Sequence, residues 1–245
     1  MPPSPRIVCT LPTYDEVENV LPVSRDLLDL RPDLEVLVID DDSPDGTWRV
    51  VAEAAETEPR LHLLHRRSDR GRGSAGRDGF LRALELGAEI VIEMDADGSH
   101  DPSSVPLLLE RLEREEEPVG LVLGSRGAPG GRDAERGRWR QWLTLAANAY
   151  TRAVLGLDVR DCNSGFRCWR REALIAIQIQ EARSRGPAIV QELLYKAHRC
   201  ETGIAEVPIQ FHSRIHGSST LTLGTLARSY VAVLHLRWLA LRGRI

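Results

Sequence analysis

Two aspartates separated by one residue follow an apolar segment of the sequence. Asp95 and Asp97 lie within Met94-Asp-Ala-Asp-Gly-Ser-His-Asp-Pro102, directly after a predicted strand at 89–94. Carboxylates at positions i and i+2 of a turn can both reach one hard cation, which prefers oxygen ligands and often retains positions for substrate phosphates. The pattern predicts a divalent metal site that neutralises a departing diphosphate.

A second acidic turn occurs earlier in the chain. Asp40, Asp41 and Asp42 end a predicted strand at 35–40 and precede Ser43-Pro-Asp-Gly-Thr47. Acids at a strand end can accept hydrogen bonds from nucleobase N–H and ribose hydroxyl groups. The same residues would also make an ordinary turn and helix cap. A turn does not require three adjacent like charges, however, and the sequence therefore favours a nucleotide-binding role.

Short apolar strands alternate with helices in the first hundred residues. This alternation predicts βαβ units and an α/β fold with a mostly parallel central sheet flanked by helices. Ligands of such sheets bind beyond the carboxyl ends of the strands, so both acidic turns are expected at one edge. The predicted strands cover 6–10, 35–40, 61–65, 89–94, 121–123 and 205–211. The predicted helices cover 17–30, 47–57, the residues from 77 to 86, 139–155, 171–182, 190–199 and the C-terminal segment. Loops are predicted at 11–16, at the glycine-rich 71–76 and at 128–137.

Composition and charge bound the class of protein. The chain has 245 residues, 42% hydrophobic and 28% charged, which is typical of one globular domain spanning 1–245. No apolar stretch of about 18 residues or signal-peptide core occurs, so a cytoplasmic location is expected. Four scattered cysteines indicate reduced thiols.

The charges are divided unevenly along the chain. Residues 1–125 hold 13 arginines against 27 acids, whereas residues 126–245 hold 19 basic residues against 9 acids. An acidic half suits metal capture, and a basic half suits phosphates or an anionic membrane. Two biased, solvated surfaces would give the same counts.

Several further motifs occur in a fixed order. They are Pro12-Thr-Tyr-Asp-Glu16, the segment 40–47, Asp95-Ala-Asp97 with Ser-His-Asp-Pro, Gly124-Ser-Arg126, Asn163-Ser-Gly-Phe-Arg167 and Glu206-Val-Pro-Ile-Gln-Phe211. Together they resemble the family-2 glycosyltransferases of GT-A fold, and specifically the dolichyl- and polyprenyl-phosphate mannose synthases, over about residues 6–221. The resemblance implies inverting transfer of a hexose from a nucleotide-sugar, most directly mannose from GDP-mannose, to a polyprenyl phosphate.

The resemblance also implies roles for individual positions, with a nucleotide-sugar half at 6–125, an acceptor half at 126–219 and a helical segment at 220–245. The nucleotide pocket is expected at Pro12, Tyr14, Glu16, Asp40 and Asp41. The metal, Mg²⁺ or Mn²⁺, is expected on Asp95, Asp97 and Ser99. The basic residues that handle donor and acceptor phosphates, counted as catalytic together with the two metal-binding aspartates, are Arg126, Arg140 and Arg214. The acceptor-phosphate site is expected to comprise Arg140, Thr144, Asp161 and Arg214.

A phosphate acceptor changes the chemistry that the protein must supply. A phosphate monoester has a second pKa of about 6 and is largely dianionic at neutral pH, so it can attack the sugar without a general base. Positioning and charge stabilisation then suffice. A sugar hydroxyl acceptor would instead need a base such as Asp161 or Glu192.

The chain departs from the family pattern at three places. Asp40-Asp-Asp42 stands where Asp-Asp-Gly is usual, which bears on nucleotide affinity. Gly71-Arg-Gly73 carries arginine where an apolar residue usually separates the glycines, and Gly127 follows Arg126 where an aromatic residue is common. The last two bear on loop geometry and on sugar or lipid contacts.

The C-terminal segment combines apolar and basic residues. Arginines at 228, 237, 242 and 244 are interspersed among apolar residues at helical spacing, which are Leu223, Leu226, Tyr230, Val231, Leu234, Trp238 and Leu241. A basic amphipathic helix can lie in a lipid interface. It would provide peripheral contact at the cytoplasmic face of a membrane, or contact a small membrane partner. An ordinary helix packed on the domain is the alternative.

Other functions fit parts of the pattern. A polyprenyl-phosphate glucosyltransferase would use UDP-glucose. Asp95 and Asp97 also resemble the nucleophile motif of haloacid-dehalogenase phosphatases, but that family needs a later lysine with an acidic pair, which Lys196 lacks. A non-catalytic nucleotide-sugar-binding module is the third alternative. No nucleic-acid partner is expected.

Overall fold

The computed structural model describes residues 5–133, 137–212 and 223–243, without the side chains of 138, 140 and 223–229. The strands are β1 (Ile7–Thr13), β2 (Leu34–Asp40), β3 (Leu61–His65), β4 (Ile90–Glu93), β5 (Leu121–Ser125), β6 (Arg132–Asp133), β7 (Arg167–Arg170), β8 (Ile204–Pro208) and β9 (Gln210–Phe211). The helices are α1 (Val20–Leu30), α2 (Thr47–Ala55), α3 (Arg72–Glu85), α4 (Val105–Glu113), α5 (Arg138–Leu155), α6 (Arg171–Ala176), α7 (Ile189–Arg199) and α8 (Leu223–Leu241). Two short 3₁₀ turns cover Pro102–Ser104 and Ile179–Glu181.

Seven strands form one sheet in the order β3-β2-β1-β4-β7-β5-β8. Strand pairs β1–β2, β1–β4, β2–β3 and β5–β8 are parallel, and β7 runs antiparallel to both β4 and β5. The predicted α/β fold with a mostly parallel central sheet is confirmed. Strands from the predicted donor half and acceptor half share this sheet.

Strand β7 was not predicted from the sequence. Its four residues begin and end with arginine, and Arg167 is completely buried, so no apolar run marks the strand. Its other terminal arginine, Arg170, donates hydrogen bonds to the carbonyls of Val119 and Leu112. The register pairs Arg167 with Glu93, which brings the preceding loop beside the carboxyl end of β4.

The predicted glycine-rich loop at 71–76 is wrong, because α3 already begins at Arg72. Gly71 has a φ of +144°, which favours glycine. The amide of Gly73 donates to the carbonyl of Arg185 at 2.8 Å, and a Cβ on Gly73 would lie 2.0 Å from the carbonyl oxygen of Ser184. The glycines therefore let a distant loop pack against the first turn of the helix.

Other predicted boundaries also move. Strand β1 extends into the predicted loop at 11–16 and ends at Thr13, and α1 begins three residues later than predicted. The predicted helix at 171–182 ends at Ala176, ahead of Gln178 with φ +50°. The predicted strand at 205–211 is two strands, and β9 pairs with β6 in a separate two-stranded sheet.

Apolar side chains cover both faces of the seven-stranded sheet. Along β1, Ile7 and Cys9 face the side covered by α1, α2 and α4, whereas Val8 faces the side covered by α3, α6 and α7. This alternation follows from the two-residue period of a strand. All four cysteines are free, and burial raises the pKa of Cys162 to about 12.

Helix α8 packs against α5 and α7, with apolar side chains on two of its faces. The residues that pack on the domain are Val233, Leu236, Leu239 and Ala240. Four residues of the predicted apolar stripe are exposed to solvent, namely Val231, Leu234, Trp238 and Leu241. Among the described residues, no helix has both the length and the hydrophobicity needed to cross a bilayer.

Candidate active site

The carboxyl ends of three adjacent strands bring the two acidic turns to one edge of the sheet. The register pairs Thr13 of β1 with Asp40 of β2, and Thr10 of β1 with Glu93 of β4. The end of β1, which contains Pro12, therefore lies between the end of β2 and the end of β4, where the two acidic turns begin. The expectation that both acidic turns lie at one edge of the sheet is confirmed.

The turn after β4 is held by hydrogen bonds within itself. Asp97 is buried, and its Oδ1 accepts a hydrogen bond from the Ser99 amide at 2.9 Å. The Asp95 amide donates to Nδ1 of His100 at 3.0 Å. The buried His100 ring stacks on Phe166 at 5.1 Å, and desolvation lowers its pKa despite the opposing charges of Asp95 and Asp97. His100 thus anchors the turn as a neutral hydrogen-bond acceptor.

The donor atoms of this turn suit a hard divalent ion. Asp95, Asp97 and Ser99 offer carboxylate and hydroxyl oxygens, which Mg²⁺ and Mn²⁺ prefer. Within the described ranges, no group of three or more His, Cys, Asp or Glu residues could hold a metal by itself. Ions of this kind often complete their coordination with substrate phosphate and water.

The acidic turn after β2 makes extensive internal hydrogen bonds. Asp40 is fully buried, and its carboxylate accepts from the Ser43 amide at 2.9 Å, the Ser43 hydroxyl at 2.6 Å and the Thr13 hydroxyl at 3.0 Å. Asp41 pairs with Arg66 and accepts from the Gly71 amide at 2.7 Å. Burial raises the pKa of Asp41, and these donors oppose that rise. Both predicted nucleotide-binding aspartates thus also hold the turn after β2 in place.

The other predicted nucleotide-binding residues border the same edge. Tyr14 is half exposed, and Pro12 is partly exposed at the end of β1. Glu16 accepts a hydrogen bond from the side-chain amide of Asn19 at 2.7 Å, while its backbone amide donates to the Thr47 hydroxyl at 3.0 Å. The segment after β1 is therefore fastened to the segment after β2.

Arg126 lies just beyond β5 and makes an ion pair with Asp161. The two groups meet at two points, and the guanidinium also stacks over Phe211 with its carbon 5.1 Å from the ring centre. Burial alone would raise the pKa of Asp161, but hydrogen bonds and charge from Arg126 hold it below its ordinary value. Asp161 and Asp95 in turn raise the pKa of Arg126.

Helix α5 carries two of the predicted acceptor-site residues. Arg140, Thr144 and Asn148 are spaced by four residues and lie on one side of the helix. Asn148 donates to Asp161 at 3.4 Å, which connects this side of α5 to the Arg126 pair. The side chain of Arg140 and the whole of Arg214 lie outside the described residues.

Comparison with known proteins decides the family. Residues 9–178 match the model of glycosyl transferase family 2. The chain belongs to glycosyl transferase family 2. The predicted glycosyltransferase class is confirmed, and this assignment disagrees with the phosphatase alternative. The predicted resemblance to mannose synthases is confirmed by two relatives.

Two curated relatives match the glycosyltransferase over nearly its whole length. An undecaprenyl-phosphate mannosyltransferase of Micrococcus luteus is 36% identical over 98% of this chain and 99% of its own. A polyprenol monophosphomannose synthase of Mycolicibacterium smegmatis is 35% identical over 99% of this chain and 90% of its own.

Solved structures agree on the fold. Glucosyl-3-phosphoglycerate synthase from Mycobacterium tuberculosis, in complex with phosphoglyceric acid, superposes with a TM-score of 0.71 at 23% identity. The match covers 96% of the glycosyltransferase and 80% of that chain. The same enzyme in complex with Mn²⁺, UDP-glucose and phosphoglyceric acid also gives a TM-score of 0.71, at 22% identity. The GT-A type of fold is confirmed.

Three residues near the site of this glycosyltransferase were missed by sequence reasoning. His100 was quoted only as part of a motif, and Asn148 carries no local signal because its partner Asp161 is distant in sequence. Arg72 was noticed as a departure from the glycine motif, but its contact with Asp95 depends on tertiary structure. Each of the three side chains contacts a predicted site residue, and the spacing of residues along the sequence does not reveal such contacts.

Proposed function

We propose that the protein transfers mannose from GDP-mannose to a polyprenyl phosphate, with inversion at the anomeric carbon and with Mg²⁺ or Mn²⁺. The two relatives named for this class of reaction align over at least nine-tenths of both chains, which supports the acceptor and the sugar. The observation that carries the proposal is that both candidate general bases already accept hydrogen bonds from other groups of the protein.

Glu192 and Asp161 are the carboxylates that a hydroxyl acceptor would need. Glu192 is buried, and its two oxygens accept from the backbone amides of Arg183 and Ser184, each at 2.8 Å. Asp161 is held by Arg126 in the same two-point manner. A base for a hydroxyl acceptor would have to come from one of these carboxylates that already accept hydrogen bonds, whereas a phosphate dianion needs no base. The geometry therefore favours a phosphate acceptor.

The donor site is proposed at the shared edge of β1, β2 and β4. Asp95, Asp97 and Ser99 would hold the divalent ion, and Pro12, Tyr14 and Glu16 would border the nucleotide. When bound, the ion would add positive charge to the diphosphate as the sugar leaves. Arg126, close enough to Asp95 for their charges to interact, would stabilise the same developing charge. The mycobacterial synthase crystallised with Mn²⁺ and UDP-glucose supports the use of a divalent ion.

The acceptor site is proposed beside α5. Arg140 and Thr144 occupy neighbouring turns on the side that leads to Asn148 and Asp161, and Arg214 would complete the phosphate site. Arginine binds phosphate through two parallel hydrogen bonds and keeps its charge at every physiological pH. The acceptor phosphate would then approach the donor sugar from the α5 side.

A lipid acceptor requires access to a membrane, and the α5–α8 surface offers it. On α5, Trp139 is 74% exposed and Trp142 is 66% exposed, and α8 presents Val231, Leu234 and Trp238. Neither helix contains an acidic residue, whereas both contain arginines. Tryptophan is enriched at the membrane interface, and arginine favours anionic headgroups. We propose that this surface contacts the cytoplasmic face of a membrane peripherally.

Radiolabelled transfer would test the proposed reaction. GDP-mannose or UDP-glucose would be incubated with Mn²⁺ and either polyprenyl phosphate or the corresponding alcohol, and the label in the organic phase would be counted. We expect label only with GDP-mannose and the phosphate. Incorporation of label from UDP-glucose but not from GDP-mannose would show that UDP-glucose is the donor. Equal transfer to the alcohol would show that the protein does supply a general base. Binding of nucleotide-sugar without turnover would indicate a binding module.

A further inference from the structure

Arg72 places a positive charge against the proposed metal turn. Its Nη2 atom lies 2.9 Å from Oε1 of Glu93 and 3.4 Å from Oδ1 of Asp95. Glu93 is buried, and the Arg72 side chain is only 24% exposed. The guanidinium therefore touches the first aspartate of the turn from inside the protein.

Two glycines make room for this guanidinium. A Cβ on Gly76 would lie 3.1 Å from Nη1 of Arg72, and a Cβ on Gly165 would lie 3.5 Å from Nη2. The same Cβ on Gly165 would lie 3.8 Å from both carboxylate oxygens of Asp95. The contact is thus enclosed between α3 and the loop that precedes β7.

Arg72 is cationic, since a guanidinium keeps its charge at every physiological pH, and Glu93 and Asp95 lie within ion-pair distance of it. Arg167, which interacts with the same Glu93, is completely buried, and burial lowers its pKa to about 10. Glu93 therefore lies between two arginines, and Arg72 is the one whose guanidinium contacts Asp95.

We propose that Arg72 is an internal counter-cation of the metal turn, which competes with the divalent ion for Asp95. This inference rests on the metal site of the proposed function. A fixed positive charge beside a carboxylate repels an arriving cation, so the nucleotide-free site would bind the ion weakly. The negative charge of the nucleotide diphosphate offsets this repulsion, so ion and nucleotide would bind cooperatively.

Manganese binding measured by electron paramagnetic resonance would test the inference without any turnover. Free Mn²⁺ would be titrated against the full chain with and without GDP, using the native protein, Arg72→Met and Arg72→Lys. We expect Arg72→Met to bind Mn²⁺ about 10-fold more tightly without GDP, and the enhancement by GDP to shrink. Arg72→Lys, which keeps the charge, should remain close to the native protein.

Controls separate this inference from the proposed function. Arg82→Met, on the exposed side of the same helix, should leave Mn²⁺ binding unchanged. Arg72→Leu, a second apolar replacement, carries the test if Arg72→Met does not fold. Unchanged or weaker Mn²⁺ binding by the folded apolar variants without GDP would overturn the role of Arg72 alone. Failure of the native protein to bind Mn²⁺ even with GDP would overturn the metal site and this inference together.

Discussion

Arg126 and Asp161 form a two-point ion pair, with Nε 2.6 Å from Oδ2 and Nη2 2.8 Å from Oδ1. The pair joins the end of β5 to the loop before β7. The Arg126 amide also donates to Asp161, at 3.2 Å. A planar guanidinium held at two points has little freedom left to lose, so it is oriented before a phosphate arrives. A residue predicted to bind phosphate is therefore also a structural link within the site.

Replacing Asp161 with asparagine should destabilise the protein. The change removes the negative charge beside a buried guanidinium, and breaking a buried pair from one side costs about 3 kcal/mol of unfolding free energy. Urea denaturation of native and variant protein would measure it. Glu85→Gln, which breaks the exposed pair between Glu85 and Arg82, serves as the control and should cost less than about 0.5 kcal/mol. Equal losses in the two variants would contradict the importance of the buried pair.

The same pair predicts how stability depends on pH. The folded pKa of Asp161 lies below the ordinary value of 3.8, so the carboxylate contributes stability that is fully present above that value. This contribution is lost as the pH falls through the folded pKa, since both states are then protonated. The free-energy gap between native protein and Asp161→Asn should stay constant above about pH 5 and narrow below about pH 4. If the difference in unfolding free energy instead grew as the pH fell, the predicted pH dependence would be wrong.

Removing the second aspartate of the metal turn should abolish transfer. We expect Asp97→Ala to lose at least about 100-fold in kcat, because the leaving diphosphate would lack its counter-ion. Circular dichroism would check that the variant folds. Asp101→Asn is the matched control, since that residue lies on the same segment and its side chain caps the turn at Ser103. Unimpaired turnover in a folded Asp97→Ala protein would show that the metal assignment is incorrect.

Nucleotide preference can be read from thermal stability. A ligand at about 100 times its Kd stabilises the folded state by about 2.7 kcal/mol, which corresponds to a rise in Tm of about 5–10 °C for a chain of this size. With Mn²⁺ present, we expect GDP and GDP-mannose to raise Tm and UDP compounds to have little effect. A response to UDP compounds alone would exclude GDP-mannose as the donor.

Membrane contact should depend on the exposed tryptophans of α5. The double variant Trp139→Ser, Trp142→Ser removes apolar area that is already in solvent, so folding should be unaffected. We expect binding to anionic vesicles, measured by co-sedimentation, to fall by about 10-fold, since partitioning follows the buried apolar area. Ile175→Ser, at an apolar position on α6 that is 55% exposed, is the control. Matching losses in both proteins, or none in either, would count against a specific α5–α8 surface.

The sequence alone was sufficient for the class of fold and for the edge of the sheet at which the two acidic turns meet. Apolar strands that end in Asp40 and Asp95 are local signals, because a two-residue or 3.6-residue period is written into neighbouring side chains. Since parallel strands end at a common edge, the two acidic turns could be placed together before any coordinate was known. The family motifs then named the chemistry, and the family match agrees with them.

Tertiary structure decided which partners those residues have. Strand β7 enters between β4 and β5 through pairings such as Glu93 with Arg167, which no local pattern announces. The contact of Arg72 with Asp95 and that of Arg126 with Asp161 join residues 23 and 35 positions apart. Likewise, periodicity marked an apolar stripe on α8, but only packing against α5 and α7 determined which face is buried. Such contacts depend on how distant segments are brought together, so they are properties of the folded chain rather than of any stretch of sequence.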